Sequence, residues 1–391
     1  MWCRRLACLV CRLEARTTTR LSPIPPNSAI IKHGTVPVIP MERSITMINR
    51  VLNFVGGIPD LLFLRMPSFM IETNPAAYPE YLDQLRFYSS GRFAEPGEPF
   101  FSLPQEAPAF EVLESRPDRS GVLEVLRYPS RYQVRNPALR EAFARHPANL
   151  HGYLHLWRHQ PRGSRPLVLC LHGFMMHGPR RARAMFKIDA LLRRGLDVGL
   201  FHQPFHWRRA EHPWRQYLLG PQNLPLTIET FGQNLHDLHS SVLLLQGLGY
   251  GRIGLIGASL GGYTSALYAA HAAAVDFMFL AVPALDFFRT LRPRPGLFAF
   301  PVDETIVSET RQALDLVTPW RYAPRFDPDR ICVVAHAGDR LCEARLTRAW
   351  VEQWQIKNYT EVPGGHWLHF GGNLRGRIWY AWLAKQGYLQ Y

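Results

Sequence analysis

Ser259 stands between two glycines, in Gly257-Ala258-Ser259-Leu260-Gly261. An apolar run, RIGLIGA, ends at this serine, and an alanine-rich segment, LGGYTSALYAAHAA, begins at once. The junction reads as a strand turning directly into a helix. Such a turn crowds the positions two before and two after the turning residue, and glycine relieves the crowding because it has no side chain. The turn also lifts the hydroxyl above the sheet edge, at a helix N-terminus, where negative charge is stabilised. A G-x-S-x-G string alone arises by chance in roughly one chain in ten of this length, so its meaning depends on partners.

A serine hydroxyl is a weak nucleophile without a base. Four histidines follow it: His271, His336, His366 and His369. His271 falls within the helix after the serine, and His336 ends a strand. His366, in VPGGHW, comes after two glycines in a loop past the last strand, where an imidazole can swing over the sheet edge. His369 is the rival and is expected in the terminal helix. The base needs an acid to orient it. Asp339, in AHAGDRLC, lies at the carboxyl end of a strand, with Glu343 as the fallback and a turn or helix cap as its plain alternative role. Asp327 and Asp329 precede that strand and fall at the other edge. A tetrahedral intermediate also needs two N–H donors. Leu260 supplies one, and Phe174, in HGFMMHG, supplies the other, with Met175 as its alternative; Gly173 permits the close approach.

His172-Gly173, the motif from Gly257 to Gly261, Asp339 and then His366 together resemble the α/β-hydrolase superfamily in order and spacing, over about residues 120–391. His336 departs from that pattern, since many relatives carry Gly three residues before the acid. The resemblance implies a serine esterase or lipase-like hydrolase that works by acyl transfer, without cofactor or metal, on a small-molecule ester or lipid-like substrate. Ser259 is then the nucleophile, His366 the general base and acid, and Asp339 the orienting carboxylate. Two rivals remain: a serine peptidase of the same fold, and a non-catalytic membrane-surface binding protein on a degenerate hydrolase body.

The stretch LFHQPFHWRRAEHPWRQ begins on the same side of the sheet as the serine. His202, His206, Arg208 and Arg209 are expected to line the pocket and meet an anionic or oxygen-rich substrate; ion pairs with loop acids such as Glu211 are the alternative. His202 and His206 have i, i+4 metal spacing, but no third ligand is evident.

The elements that must hold these residues follow from hydropathy patterning. Continuous apolar runs such as PLVLCLHG mark strands buried on both faces, as in parallel sheets. From about residue 120, strands alternate with helical segments, so the expected fold is α/β: a mostly parallel central sheet with helices on both faces, a small cap insertion and an N-terminal extension. The site of such a sheet lies beyond the carboxyl ends of its strands. The expected division is a basic tail over 1–40, an extension over 41–118, and the α/β domain over 119–391 with the cap at about 288–330. Residues 96–119 read as loop, and YPEYLDQLRFYSSG as a short helix.

The 391 residues are 47% apolar and 12% aromatic, as in a globular protein. The net charge is +14, and the first fifty residues carry eight Lys or Arg against two acids. Basic and aromatic residues are scattered, which argues against a nucleic-acid module, while a basic surface favours anionic lipids or substrates. No window offers ~18 uninterrupted apolar residues. The nearest, VLNFVGGIPDLLFLRMPSFMI, is read as a helix or strap on the body, with a membrane-surface position as the alternative. Unpaired cysteines in apolar runs, such as Cys170 and Cys332, point to a reducing compartment. The expected location is therefore cytoplasmic, with peripheral membrane contact as an option. The CLVC pair at 8–11 has metal or redox spacing without a second pair. The tail reads as a transit-like segment or as an over-long start, with Met41 or Met47 as the initiator.

Overall fold

The computed structural model describes residues 47–65, 77–93, 97–119, 121–174, 176, 178–211, 220–293, 298, 300–370 and 374–389. The basic tail, its CLVC pair and Met175 lie outside the described residues.

Among the described residues, nine strands form one sheet: β1 (Glu111–Asp118), β2 (Gly121–Pro129), β3 (His151–Arg158), β4 (Leu167–Leu171), β5 (Asp197–Phe201), β6 (Ile253–Ala258), β7 (Phe277–Ala281), β8 (Ile331–His336) and β9 (Asn358–Val362). Their spatial order is β1-β2-β3-β5-β4-β6-β7-β8-β9. The first four in that order pair antiparallel, and all pairs from β5 to β9 are parallel. Every residue of β4 to β8 is buried, which is why those strands read as continuous apolar runs. Successive side chains in a strand point to opposite faces. Leu167, Leu169 and Leu171 accordingly join one core, and Val168 and Cys170 join the other.

The expected loop over 96–119 contains β1, so the sheet begins ahead of residue 119. β1 is almost wholly exposed and carries Glu111, Glu114, Arg116 and Pro117. Charge and proline suit an edge strand and hide its periodicity.

The helices are α1 (Met47–Gly56), α2 (Ile58–Arg65), α3 (Tyr78–Ser89), α4 (Arg140–Ala144), α5 (Pro179–Met185), α6 (Ile188–Leu192), α7 (Leu224–Gly247), α8 (Leu260–His271), α9 (Phe288–Leu291), α10 (Glu304–Asp315), α11 (Ala344–Gln353) and α12 (Leu374–Lys385). The segment RRARAMFKIDALLRRG, expected as one helix, breaks into α5 and α6 at Lys187, whose φ is 50°. α5, α6 and α12 cover one face of the sheet, and α3, α7 and α8 the other.

α7 is the longest helix, at 24 residues, and 20 of them are buried. Its polar side chains are therefore buried as well. Glu229 accepts hydrogen bonds from the Tyr88 and Tyr132 hydroxyls at 2.7 and 2.6 Å, and from the backbone N–H groups of Arg135 and Asn136 at 2.9 Å each. These donors come from α3 and from the loop after β2, so residues N-terminal to β3 cover what would otherwise be a solvent face. α3 also meets α10 and the residues just before it. Asp303 caps α10 by accepting from Ile306 N at 2.9 Å, and it takes the Tyr78 hydroxyl at 2.6 Å. Tyr81 stands edge-on to Phe298, with ring centroids 5.3 Å apart.

Candidate active site

β6 ends at Ala258 and α8 starts at Leu260, leaving Ser259 alone to make the turn. Its φ of 54° and ψ of −114° lie where a non-glycine residue is strained. The strain is held by its backbone: the N–H donates to Ala281 O at 2.9 Å, and the carbonyl accepts from Tyr263 N and Ala284 N at 3.0 and 3.2 Å. The flanking glycines are steric requirements. A Cβ at Gly257 would lie 2.2 Å from Gly261 O, and one at Gly261 would lie 2.0 Å from Leu171 O. The turn thus puts α8 against the end of β4, the strand that leads into His172 and Gly173. A Cβ on Gly173 would touch Ser259 Cβ at 3.4 Å, so this loop runs directly beside the serine.

Leu260 and Phe174, the two expected N–H donors, flank Ser259 from the helix and from that loop. Leu260 is the first residue of α8, whose opening N–H groups have no intrahelical acceptor. The loop rests on a buried polar network that the sequence reading missed. Gln203 N donates to His172 Nε2 at 3.2 Å, and the Gln203 side-chain amide donates to His172 O. The Gln203 side-chain carbonyl accepts from Asn234 Nδ2 and Thr264 Oγ1 at 2.9 and 2.8 Å. Because His172 Nε2 accepts, its proton is on Nδ1, which donates to Gly173 O at 2.8 Å. Only the helical register of Asn234 and Thr264, on neighbouring helices, carried any sequence signal for this network.

Asp339 and His366 come together at the carboxyl ends of β8 and β9. His366 Nδ1 lies 2.7 Å from Asp339 Oδ2, with both side chains buried. Asp339 is also a turn residue: its Oδ1 accepts from Leu341 N and Cys342 N at 2.8 and 2.7 Å. Burial is the largest single influence and pulls the His366 pKa down, but the Asp339 charge, Cys342 and hydrogen bonds to both together outweigh it, leaving the net position well above 6.5. Cys342, to which the sequence assigned no role at the site, interacts with the side chains of both His366 and Ser259, and burial raises its pKa. Asp339, Cys342 and His366 offer donor atoms within 4.8 Å of one another. Both Asp339 oxygens and His366 Nδ1 already take part in hydrogen bonds.

His369 is in a β-bridge with Gly364, ahead of the terminal helix in which it was expected. Its ring packs on His336 at 4.9 Å between centroids. His336, the departure from the family pattern, donates from Nδ1 to Gly365 O at 2.9 Å and so buttresses the residue before His366.

The four residues expected to bind substrate separate. His206 stays near the loop, its ring 5.2 Å from that of His172 and 5.6 Å from that of Phe174. His202 is fully buried, stacked on Trp207 at 4.2 Å and 2.9 Å from His155 Nδ1 through its Nε2. Burial lowers the pKa of both histidines. Arg209, expected at the cleft, is fully buried against Asp237 of α7 at 2.7 Å, and donates to Asn149 O and His202 O at 3.0 and 3.3 Å. Arg208, also expected there, pairs instead with Glu114 on β1. The physical reason for Arg209 is that a buried guanidinium requires a countercharge and acceptors, which Asp237 of α7 and the carbonyls of Asn149 and His202 supply.

No family model matches the chain. An uncharacterized protein of Mycobacterium tuberculosis (strain ATCC 25618 / H37Rv) is 24% identical over 313 residues, 78% of this chain and 74% of that protein. A second, from strain CDC 1551 / Oshkosh, is 26% identical over 250 residues, 62% of this chain and 59% of that protein. Among solved structures, acetyl xylan esterase 1 from Thermoanaerobacterium sp. JW/SL YS485 is 16% identical with a TM-score of 0.49, covering 79% of this chain and 95% of that one. Est1E from Butyrivibrio proteoclasticus, solved with ferulic acid, is 16% identical with a TM-score of 0.42, covering 60% and 96%. A prolyl endopeptidase is 14% identical with a TM-score of 0.42, covering 61% of this chain and 36% of that one. Strand order and helices on both faces of the sheet are those of the α/β-hydrolase fold.

Proposed function

We propose that the chain is a serine hydrolase that cleaves carboxylic esters, lipid-like ones included, by acyl transfer. The observation that carries this reading is the buried Asp339–His366 pair, 2.7 Å apart, joined through Cys342 to a serine held at φ 54° between two sterically required glycines. His366 keeps its Nδ1 proton on Asp339 and offers Nε2 to the Ser259 hydroxyl. As Ser259 Oγ attacks the ester carbonyl, His366 takes its proton, and the imidazolium that forms is stabilised by the carboxylate. The oxyanion receives the N–H groups of Leu260 and Phe174. His366 then returns the proton to the leaving alcohol. Water repeats the sequence on the acyl-enzyme and frees the acid. The Asp339 charge suits this cycle because it favours the protonated imidazole at the moment the base must accept.

The exposed side of α1 and α2 favours an ester delivered from a lipid surface. Val51, Phe54, Val55, Ile58, Leu61 and Leu62 are all between 39% and 64% exposed there. A continuous apolar face on two adjacent helices suits peripheral contact with a membrane. Among the described residues no helix is long and apolar enough to cross one.

Fluorophosphonate labelling followed by peptide mapping tests the nucleophile. The adduct is expected on Ser259, with Ser259→Ala keeping its melting temperature and losing ester turnover by on the order of 10⁶. Turnover above a few percent in that variant, or an adduct elsewhere, would remove Ser259 from the role. Acyl p-nitrophenyl esters run beside peptide anilides separate esterase from peptidase.

A further inference from the structure

α1 and α2 lie about 280 residues before the loops that carry Asp339 and His366, yet they are built into them. Asp60, in α2, is fully buried, and its Oδ2 accepts two backbone N–H groups: that of His366 at 2.9 Å and that of Arg340 at 3.0 Å. One oxygen therefore fixes the amide of the proposed base and the amide that follows the proposed acid. Asn53, in α1, adds a third tie, with its Oδ1 accepting from Gly364 N at 2.9 Å. The two loops are also joined to each other, Gly338 N donating to Gly364 O at 2.7 Å.

The seam between helices and loops is backbone against backbone. A Cβ at Gly365 would lie 2.0 Å from Gly56 O, one at Gly56 would lie 2.4 Å from Gly365 N, and one at Gly338 would lie 2.3 Å from Asn53 O. A carboxylate is an expensive choice for this place. Asp60 Oδ1 is buried with no hydrogen-bond partner among the described residues, and burying a charge without a paired cation disfavours folding.

We propose that Asp60 is a positioning residue, which sets the Asp339–His366 geometry from outside the sheet and makes the α1–α2 pair part of the active site. The inference rests on the triad reading above. Without the shared acceptor, the His366 amide and the Arg340 amide lose their common anchor, and the imidazole is free to shift relative to Ser259. A displacement of about 1 Å costs on the order of 10² in rate.

The test uses the full chain with Asp60→Ala, Asp60→Asn and Asn53→Ala. Asp60→Asn keeps a carbonyl oxygen that accepts both N–H groups, so it should retain most of the turnover. Asp60→Ala should lose about 10²-fold in kcat with KM nearly unchanged, the pattern of a defect confined to the chemical step. Asn53→Ala, which removes one tie, should show a smaller loss in the same direction, and it carries the test if Asp60→Ala does not fold. Proton NMR reads the clamp independently of turnover. The downfield resonance of the His366 Nδ1 proton should persist in Asp60→Asn and vanish or broaden in Asp60→Ala. A folded Asp60→Ala with wild-type kcat and an unchanged resonance overturns the proposal, as does an equal loss in the alanine and asparagine variants. Failure of the triad reading has a different signature, since wild-type protein would then give no fluorophosphonate adduct on Ser259.

Discussion

Arg209→Ala should unfold the protein far more readily while sparing its preference among substrates. The guanidinium is fully buried and 2.7 Å from the equally buried Asp237. Removing one partner of such a pair strands the other charge, which costs about 3–5 kcal/mol. Of the two carbonyls that Arg209 also binds, Asn149 O keeps a second donor, Gln233 Nε2 at 2.9 Å. His202 O loses the Arg209 bond, which adds about 1 kcal/mol. The sum is a large share of the 5–15 kcal/mol that holds a typical domain folded. Arg208→Ala is the internal control. Its pair with Glu114 is partly exposed on both sides, and an exposed pair contributes about 0–1 kcal/mol.

The loss should also depend on pH. Burial pushes the Asp237 carboxyl up, while the Arg209 charge, His236 and Ser130 hold it below its usual range. A depressed carboxyl stabilises the fold above its unfolded pKa, near 4, and that contribution fades as pH falls. In Arg209→Ala the main opposing charge is gone, so the gap to wild type should be widest at pH 7.5 and narrower at pH 4.5. Urea unfolding followed by circular dichroism at both values measures this, and KM for neutral and acidic esters is taken on the same preparations. An Arg209→Ala protein within about 1 kcal/mol of wild type, with KM raised for acidic esters only, would refute the structural assignment and restore a substrate role.

Two further outcomes are expected. The acid limb of kcat/KM should have its midpoint above 6.5, because only neutral His366 accepts the serine proton and the Asp339 charge holds its pKa up; Asp339→Asn should move the limb to lower pH, and a wild-type midpoint at or below 6.5, or one unmoved by that change, would contradict the pairing. The full chain should co-sediment with phosphatidylglycerol vesicles, and Phe54→Glu or Leu62→Glu, both on the exposed face of α1 and α2, should weaken this by about tenfold or more; equal binding by the charged variants would exclude that face as the contact.

The parts of the fold legible in the sequence were those in which one element carries its own signal. β4 to β8 are apolar throughout because both faces are covered, and the Ser259 turn announces itself through glycines that have no alternative. Asp339 and His366 could be placed by position, each in the loop past a strand, buried β8 and partly buried β9. The rest depended on contacts between distant segments. β1 escaped notice because an exposed edge strand has no apolar face to alternate. Arg208 and Arg209 were assigned to the cleft because nothing local points to Asp237 or Glu114, 28 and 94 residues away. Cys342 was given no part in the site because its neighbours Ser259 and His366 come from two other elements.

The largest gap concerns the extension expected over 41–118 and the loop after β2, to which the sequence gave no role. Glu229 and Asp237 explain why. On α7 they would belong to a solvated helix face, with no reason to be buried. Tyr88, Tyr132 and the Arg135 and Asn136 amides, from α3 and the loop after β2, turn Glu229 into a buried acceptor with four donors. Ser130 and Arg209 do the same for Asp237. The same N-terminal region then reaches the far end of the chain through Asn53 and Asp60. It covers the polar face of α7 in one place and holds the proposed base in another. Removing it would therefore expose two buried carboxylates as well as releasing His366, which makes it part of the body that carries the site, in both folding and chemistry.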